Sequence, residues 1–546
     1  MNNRLLHTPD GVRDIYGNEY QKKLNVENAI HEMFISYGYS DIQTPGFEYY
    51  DLFDGEIGTT DIRELYKFTD TEGRTMVLRS DFTPSIARCA AKYFLEDNCA
   101  LRFTYKGNTF VNTAELQGKL KETTQMGVEL IGEGDYNADV EIIKLAIESL
   151  KSVGLKDFRI CIGNVEFFKG LCEELQLDSD SELILKNYVS NKNFFEAEEY
   201  MKAHDYSNEI TEKILAINDL VGDLDMLKTK ALNLVHNERS KKAVERLIQI
   251  YNEIKTNELS DYVFFDLSML SKYNYYTGMI FKGYALGNGD AIVKGGRYDH
   301  LLEQFGKEAS AIGFVVVIDS LINALNSKSK DNAEYLTFAL TKGRLANKTL
   351  ELLESIGITC EEMKDKDTRK LIFVNEELKL KFFLSKGPDV PTYVEYGAAD
   401  IGVVGKDTIM EEGRRVYEVL DLGFGKCRMC VCGPKEAKEL LQHHEMIRVC
   451  SKYPVIAKDY FYNKKHQTVD IIKLNGSVEL GPIVELGDVI VDIVETGSTL
   501  RENGLEVLEE ICDLSARMIV NRVSMQIHGE RIREIIAKLK ANLENK

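Results

Sequence analysis

The chain is 546 residues long, and at roughly 150 residues per domain that predicts about three or four domains. It carries 68 Lys and Arg against 88 Asp and Glu, a formal net charge of −20. A bare phosphate backbone would repel such a chain, which argues against broad nucleic-acid binding, and 44% hydrophobic residues are enough for sizeable cores. No run approaches the about 18 consecutive apolar residues of a membrane span, and the start, Met1 to His7, lacks an apolar core of signal-peptide length. Ten scattered cysteines fit reduced thiols and a cytoplasmic location.

In chain order, Tyr20 to Tyr37 places Leu24, Ala29, Ile30, Met33 and Phe34 at helical spacing, and Gly38 marks a stop. From about 42 to 132, short apolar runs such as Met76–Leu78 and Val128–Ile131 alternate with polar turns. That predicts a sheet-rich region with one helix near Ser85 to Phe94. Between about 173 and 257 the pattern turns charged and long-period, with Glu196, Glu198, Lys202, Glu212 and Lys213 beside a Leu/Ile stripe, and reads as an all-helical insertion. Strand signals return at Tyr262 to Leu267 and Ile280 to Tyr284. The polar stretch Asn326 to Ala333 reads as a linker, dividing the chain into 1–325, 326–333 and 334–546. Beyond it, strand and helix alternate: Leu336–Leu340 with Leu345–Ser355, Ile401–Val404 with Thr408–Glu412, and Val489–Val494 with Leu500–Ile511. Such alternation is the α/β signature of mostly parallel sheets. Cys427, Cys430 and Cys432 read as a buried alternating strand, because no second cysteine pair stands nearby to complete a zinc site.

One local signal carries chemistry. The apolar strand around Asp492 runs into Glu495-Thr496-Gly497-Ser498-Thr499 and then a helix start. Backbone N–H groups at a helix start lack intrahelical partners, so they attract anions. Thr496, Ser498 and Thr499 add hydroxyl donors, and Gly497 permits close approach to a phosphate. Asp492 and Glu495 are placed to accept ribose hydroxyls or help hold Mg²⁺. Read alone, the same residues also describe an ordinary N-cap.

Further blocks narrow the choice. They are Thr341-Lys342-Gly343-Arg344, then Tyr393-Val394-Glu395 through Asp400 to Asp407, then Ser451-Lys452-Tyr453-Pro454, and Asn475 to Pro482. From about 334 to 530 the chain resembles the short-form catalytic subunit of ATP phosphoribosyltransferase, in the order of that family. The resemblance implies a two-lobed α/β fold like periplasmic binding proteins, with substrates ATP and phosphoribosyl pyrophosphate and Mg²⁺ as cofactor. It implies that Asp492, Glu495, Thr496, Gly497, Ser498 and Thr499 hold phosphoribosyl pyrophosphate. Lys342 and Arg344 are catalytic cations by the same comparison. Tyr393, Glu395 and Asp400 line the cleft, with an inter-lobe hinge as the competing reading. No general base and no metal ligand set is assigned.

Before the linker stand Thr8-Pro-Asp-Gly-Val-Arg-Asp14, Leu78-Arg-Ser-Asp81-Phe-Thr83-Pro84, Gln125-Met-Gly-Val-Glu129, Tyr275-Tyr276-Thr-Gly278 and Gly295-Gly-Arg-Tyr-Asp299. From about 5 to 323 these resemble histidyl-tRNA synthetase and its non-aminoacylating relative, the regulatory subunit of ATP phosphoribosyltransferase. The resemblance implies an antiparallel class II synthetase sheet, usually dimeric, with a histidine pocket at Asp81, Thr83, Gln125, Glu129, Tyr275 and Tyr276. Three arginines of the synthetase family are replaced, by Val111, Ser271 and Ser320. Without guanidiniums nothing evident offsets the charge that develops on an α-phosphate. A histidine sensor is therefore expected, in place of the sensing domain that long-form enzymes carry at their C-terminus. The expectation is a fused regulatory and catalytic enzyme, histidine-inhibited and homo-oligomeric, with no nucleic-acid or membrane partner. The alternatives are a divergent synthetase with an appended enzyme and a non-catalytic amino-acid-binding regulator.

Overall fold

The computed structural model describes residues 6–54, 57–58, 60–94, 99–114, 118–271, 275–326, 334–364, 370–442 and 446–544. The chain divides into two units, Met1–Lys330 and Asp331–Lys546. Apart from Asn326, the expected linker lies outside the described residues.

The first unit is built on a nine-stranded sheet. Its strand order is Ser40–Asp41, Leu101–Phe110, Glu122–Ile131, Ala311–Val317, Val293–Arg297, Met279–Ala285, Phe158–Asn164, Val263–Asp266 and Val221–Gly222. All neighbours run antiparallel except Ser40–Asp41 on Leu101–Phe110 and Phe158–Asn164 on Val263–Asp266. Successive side chains of a strand point to opposite faces. On Glu122–Ile131 this sends Met126, Val128 and Leu130 into a core with Ile30 and Phe34 of the helix Gly17–Ser36 and Ile142, Ile143 and Ile147 of the helix Tyr136–Ser152. The first helix ends at Ser36 with Tyr37 as its C-cap, and Gly38 then takes φ +82, the left-handed value that glycine adopts without a Cβ clash. Gln125, Gly127 and Glu129 then face the other side, toward Phe82, Ile86, Tyr105 and Tyr298 and the helix Thr83–Tyr93.

The insertion is helical over Ser179–Ser190, Phe194–Ala203, Asn208–Ala216 and Glu238–Thr256, and Asp178, Asn193, Ser207 and Asn237 cap these helices through side-chain oxygens. It is not all-helical: Val221–Gly222 extends the sheet antiparallel to Val263–Asp266. A two-residue strand has no periodicity to display, so only pairing reveals it. A buried ion pair ties the insertion to the sheet, Lys192 Nζ lying 2.7 Å from Asp266 and 2.5 Å from the Ser268 hydroxyl.

The second unit carries two sheets. The six-stranded one runs Ile372–Asn375, Leu380–Ser385, Leu336–Thr341, Ile401–Gly405, Ala516–Val520, Tyr417–Asp421. The five-stranded one runs Val469–Lys473, Ile447–Ser451, Val489–Val494, Cys427–Gly433, Glu506–Leu514. Both are mixed rather than mostly parallel: Ile372–Asn375 and Leu380–Ser385 form an antiparallel hairpin, Ala516–Val520 pairs antiparallel with both its neighbours, and so does Cys427–Gly433. The helix Gly529–Glu544 lays Ile532, Ile535 and Leu539 on the first of these sheets. Cys427–Gly433 is a central strand buried on both faces, Met429 and Val431 in one core and Cys430 and Cys432 in another.

The expected helix Leu500–Ile511 is a correction. The helix covers only Ser498–Glu502; Asn503 ends it, Gly504 takes φ +69, and Glu506–Leu514 becomes a strand on Cys427–Gly433. Leu and Glu favour helix locally, but an antiparallel partner overrides propensity of a few tenths of a kcal/mol per residue.

Candidate functional site

The strand Val489–Val494 is almost wholly interior, and it delivers Glu495 to Thr499 at its exposed end. Gly497 turns the chain with φ +69. The Thr496 and Ser498 hydroxyls lie 3.1 Å apart, and Arg501 donates from Nη2 to the Thr496 carbonyl at 3.2 Å. This crowds hydroxyls, a glycine backbone and a guanidinium onto one short turn. The five-residue helix after it contributes its first N–H groups but little macrodipole. On the strand itself, burial, then the neighbouring Glu479, push the Asp492 carboxyl up to about 6, against favourable contributions from the Ile493 N–H and Lys452.

The other sheet brings Arg344 to the same place. Lys342 and Gly343 follow the strand Leu336–Thr341, and Arg344 opens the helix Arg344–Glu354. Arg344 Nη2 lies 3.3 and 3.2 Å from the two carboxylate oxygens of Glu495, 151 residues away in sequence. Both side chains are well exposed, so the pair adds little stability and yields readily to a stronger anion. Lys342 is exposed and anchored through its N–H to the Ser385 carbonyl. Around this contact sit residues the sequence reading left without a role. The Cys427 thiol is pushed up to about 11 by burial and by Asp407 and Glu495, while Arg344 pulls it down. Asp407 also hydrogen-bonds Tyr453, and Glu411 accepts from the Val455 and Ile456 N–H groups at 3.1–3.2 Å and 3.2 Å. The signal for Asp407 and Tyr453 was present, since both stand in the Gly405–Asp407 and Ser451–Pro454 blocks, but no spacing rule joins them.

The cleft trio separates. Tyr393 is exposed and meets Phe383 edge-on at 5.0 Å. Glu395 is buried, 3.3 Å from Arg414 Nη1 and from the Arg415 N–H. Asp400 accepts from the Thr337 N–H at 2.7 Å and the Ser524 hydroxyl at 2.5 Å. The last two carboxylates are committed to holding elements together.

In the first unit a second constellation forms on the sheet face opposite the large core. Glu129 is buried and accepts from the Thr83 hydroxyl at 2.8 Å and from the Tyr298 hydroxyl. Burial raises its pKa to about 8, and Asp81 adds to the rise, against those two hydrogen bonds. Asp81 in turn accepts from the Thr83 N–H at 3.1 Å. Tyr275 and Tyr276 stack at 4.3 Å, and the Tyr275 hydroxyl is pushed well up by burial, then by Tyr276 and Asp81. Glycines floor this face: a Cβ on Gly313 would stand 1.7 Å from Glu129 Oε2, one on Gly127 2.4 Å from the Tyr105 hydroxyl, and one on Gly296 2.6 Å from the Tyr276 ring. Asp81, Thr83, Glu129 and the tyrosines are thus gathered. Gln125 shares their face but sits four residues, about 13 Å, along the strand from Glu129.

Comparison with known proteins matches this division. The histidyl-tRNA synthetase family profile covers residues 11–321, and the ATP phosphoribosyltransferase profile covers 386–541. The ATP phosphoribosyltransferase of Lachnoclostridium phytofermentans is 74% identical over 207 residues, which are 38% of this chain and 96% of that protein. The ATP phosphoribosyltransferase regulatory subunit of Ruminiclostridium cellulolyticum is 39% identical over 325 residues, 60% of this chain and 77% of that protein. The chain belongs to the ATP phosphoribosyltransferase family. Regulatory and catalytic parts, separate proteins in those two relatives, are fused here in one polypeptide. The crystal structure of an ATP phosphoribosyltransferase regulatory subunit/histidyl-tRNA synthetase from Bacillus halodurans C aligns with TM-score 0.56 at 29% identity, covering 70% of this chain and 99% of that one. The first unit therefore has the class II synthetase-like fold. The second is the catalytic part of a transferase of histidine biosynthesis, ATP phosphoribosyltransferase, and the synthetase and binding-only alternatives give way to that activity. Among the described residues no helix is long and apolar enough to cross a membrane.

Proposed function

We propose that the turn Glu495–Thr499 grips the 5-phosphate and ribose of phosphoribosyl pyrophosphate while Lys342 and Arg344 close on its phosphates from the facing sheet. The observation that carries this is the Arg344–Glu495 contact, which joins two loops remote in sequence at the exposed end of the Asp492 strand. In this reading the two sheets are the lobes of a binding-protein-like cleft, with Tyr393 at its rim. N1 of ATP attacks C1′ of the ribosyl group as the C1′–pyrophosphate bond breaks, and pyrophosphate leaves with the electron pair. The ribosyl carbon becomes cationic on the way, so alignment and charge neutralisation are the protein's tasks. Asp492 accepts ribose hydroxyls. Mg²⁺ fits the donors present. Asp492 and Glu479 are two neighbouring carboxylates whose mutual repulsion a cation relieves. Among the described residues no three His, Cys, Asp or Glu side chains form a cage, which suits an ion carried largely by phosphates. When bound, it neutralises the pyrophosphate charge.

The first unit is proposed as a histidine sensor. Asp81, Thr83, Gln125, Glu129, Tyr275 and Tyr276 offer acceptors and hydroxyls suited to an ammonium and an imidazole N–H. Val111, Ser271 and Ser320 in place of arginines speak against adenylate formation. Inhibition requires that histidine bind the less active state more tightly. A homo-oligomer is proposed from the resemblance to a usually dimeric fold. The decisive assay measures pyrophosphate release from ATP and phosphoribosyl pyrophosphate with and without histidine. Release that saturating histidine slows is the expected result. A rate that histidine leaves unchanged removes the sensor, and no release at all removes the catalytic assignment of the turn.

A further inference from the structure

The helix Lys406–Glu412 stands between the two sheets of the second unit. Its Ile409 packs against the core that holds Ala339 and Ile519 of the six-stranded sheet. Its Met410 packs against the core that holds Met429 and Val431 of the five-stranded one. The chain passes from sheet to sheet between the strands Tyr417–Asp421 and Cys427–Gly433, and again between Glu506–Leu514 and Ala516–Val520. The helix is rooted at those passages. The Lys406 N–H donates to the Ser515 carbonyl at 3.0 Å, and the Ser515 hydroxyl donates to Asp421 at 2.8 Å. Short connections of this kind let sheets rock about them unless a further contact ties the sheets together.

Glu411 supplies such a tie. The helix Pro454–Lys458 begins after Tyr453, whose side chain caps none of its N–H groups. The Glu411 carboxylate takes that place from another part of the chain. It accepts from the Val455 N–H at 3.1 and 3.2 Å and from the Ile456 N–H at 3.2 Å. N–H groups at a helix start have no partner within their own helix, and an ionised acceptor makes the stronger kind of hydrogen bond. Asp407, four residues earlier and so on the same helix face, takes the Tyr453 hydroxyl. The turn gripped in this way leads into the candidate site. The Tyr453 N–H donates to Ser451 Oγ at 2.8 Å, and Ser451 Oγ donates at 2.6 Å to the carbonyl of Val491, the residue before Asp492.

We propose that Glu411 is a positioning residue for the transferase reaction: by capping the helix at Pro454 across the two sheets, it holds Arg344 opposite the Glu495–Thr499 turn. The inference rests on the proposed phosphoribosyl pyrophosphate site and deepens it. A substrate that bridges both sheets binds the arrangement in which they are held together. Losing the tie lowers the fraction of molecules ready to bind and raises KM by the same factor, while the bound complex keeps its turnover.

Pyrophosphate release by the full-length protein, followed against phosphoribosyl pyrophosphate at saturating ATP, tests this in a double-mutant cycle with Arg344. Glu411→Ala should raise KM for phosphoribosyl pyrophosphate about tenfold, the worth of a hydrogen bond to a charged group. It should change kcat by less than about twofold. Glu411→Gln, whose amide carbonyl still accepts from the same N–H groups, should restore most of the KM. In the Arg344→Ala background, where holding the sheets together gains little, Glu411→Ala should cost less than about twofold in kcat/KM. Should Glu411→Ala not fold, Tyr453→Phe, which removes the hydroxyl held by Asp407 and keeps the ring, carries the same cycle. An unchanged KM, a fall confined to kcat, or the same cost in both backgrounds overturns the positioning role and leaves the phosphate site standing. Arg344→Ala with kcat/KM near wild type removes the phosphate site and the positioning role together.

Discussion

If Asp492 accepts ribose hydroxyls as proposed, its burial gives the reaction a pH dependence. Its carboxyl is raised to about 6, so it is ionised above that pH and progressively neutral below it. As kcat/KM reports the free enzyme, its value for phosphoribosyl pyrophosphate should fall as pH drops through about 6. Asp492→Asn should lower the plateau and erase that acid limb; an unaltered limb in the variant assigns the titration elsewhere. In the proposed site Arg344 contributes charge and Thr499 a hydroxyl to the transition state. Arg344→Ala or Thr499→Ala should cost about a hundredfold in kcat/KM. Near-wild-type steady-state rates in both variants refute the phosphate site. The strand-to-helix turn at Glu495–Thr499 was legible because it is contiguous. The roles of Glu395 and Asp400 were not, since a carboxylate in a motif looks alike whether it faces a ligand or caps a neighbouring strand.

The strand Ala311–Val317 carries a constraint that no propensity scale contains. Glu129 lies across Gly313 on the adjacent strand, so its carboxylate occupies the space where a Cβ would stand. Gly313→Ala should destabilise the first unit by about 1–3 kcal/mol, because the neighbouring Val128 carbonyl, at 2.5 Å from that Cβ, cannot give way freely. It should also displace Glu129 and weaken histidine binding. Urea unfolding and histidine titration check the two parts, and a variant as stable and as tight-binding as wild type contradicts the packing. The same logic explains the elements misread in sequence. Glu506–Leu514 looks helical alone and is a strand because Cys427–Gly433 lies beside it, and Val221–Gly222 is visible only through its partner.

Across the whole molecule, the fusion places a regulatory-subunit-like unit and a transferase in one chain, so any coupling between them is a property of the full polypeptide. Glu129→Gln should abolish inhibition by histidine and leave turnover without histidine near wild type, measured by pyrophosphate release. Inhibition that persists would move the sensing site off the first unit. The linear order of residues was sufficient for the family of each half and for the strand-to-helix turn at Glu495–Thr499, because each is a matter of which side chains occur at which spacing. Only the folded chain decided which carboxylates are structural, where Arg344 meets Glu495, and that Glu411 caps the helix at Pro454. Those facts join residues far apart in sequence, and the packing that brings them together depends on every strand partner at once.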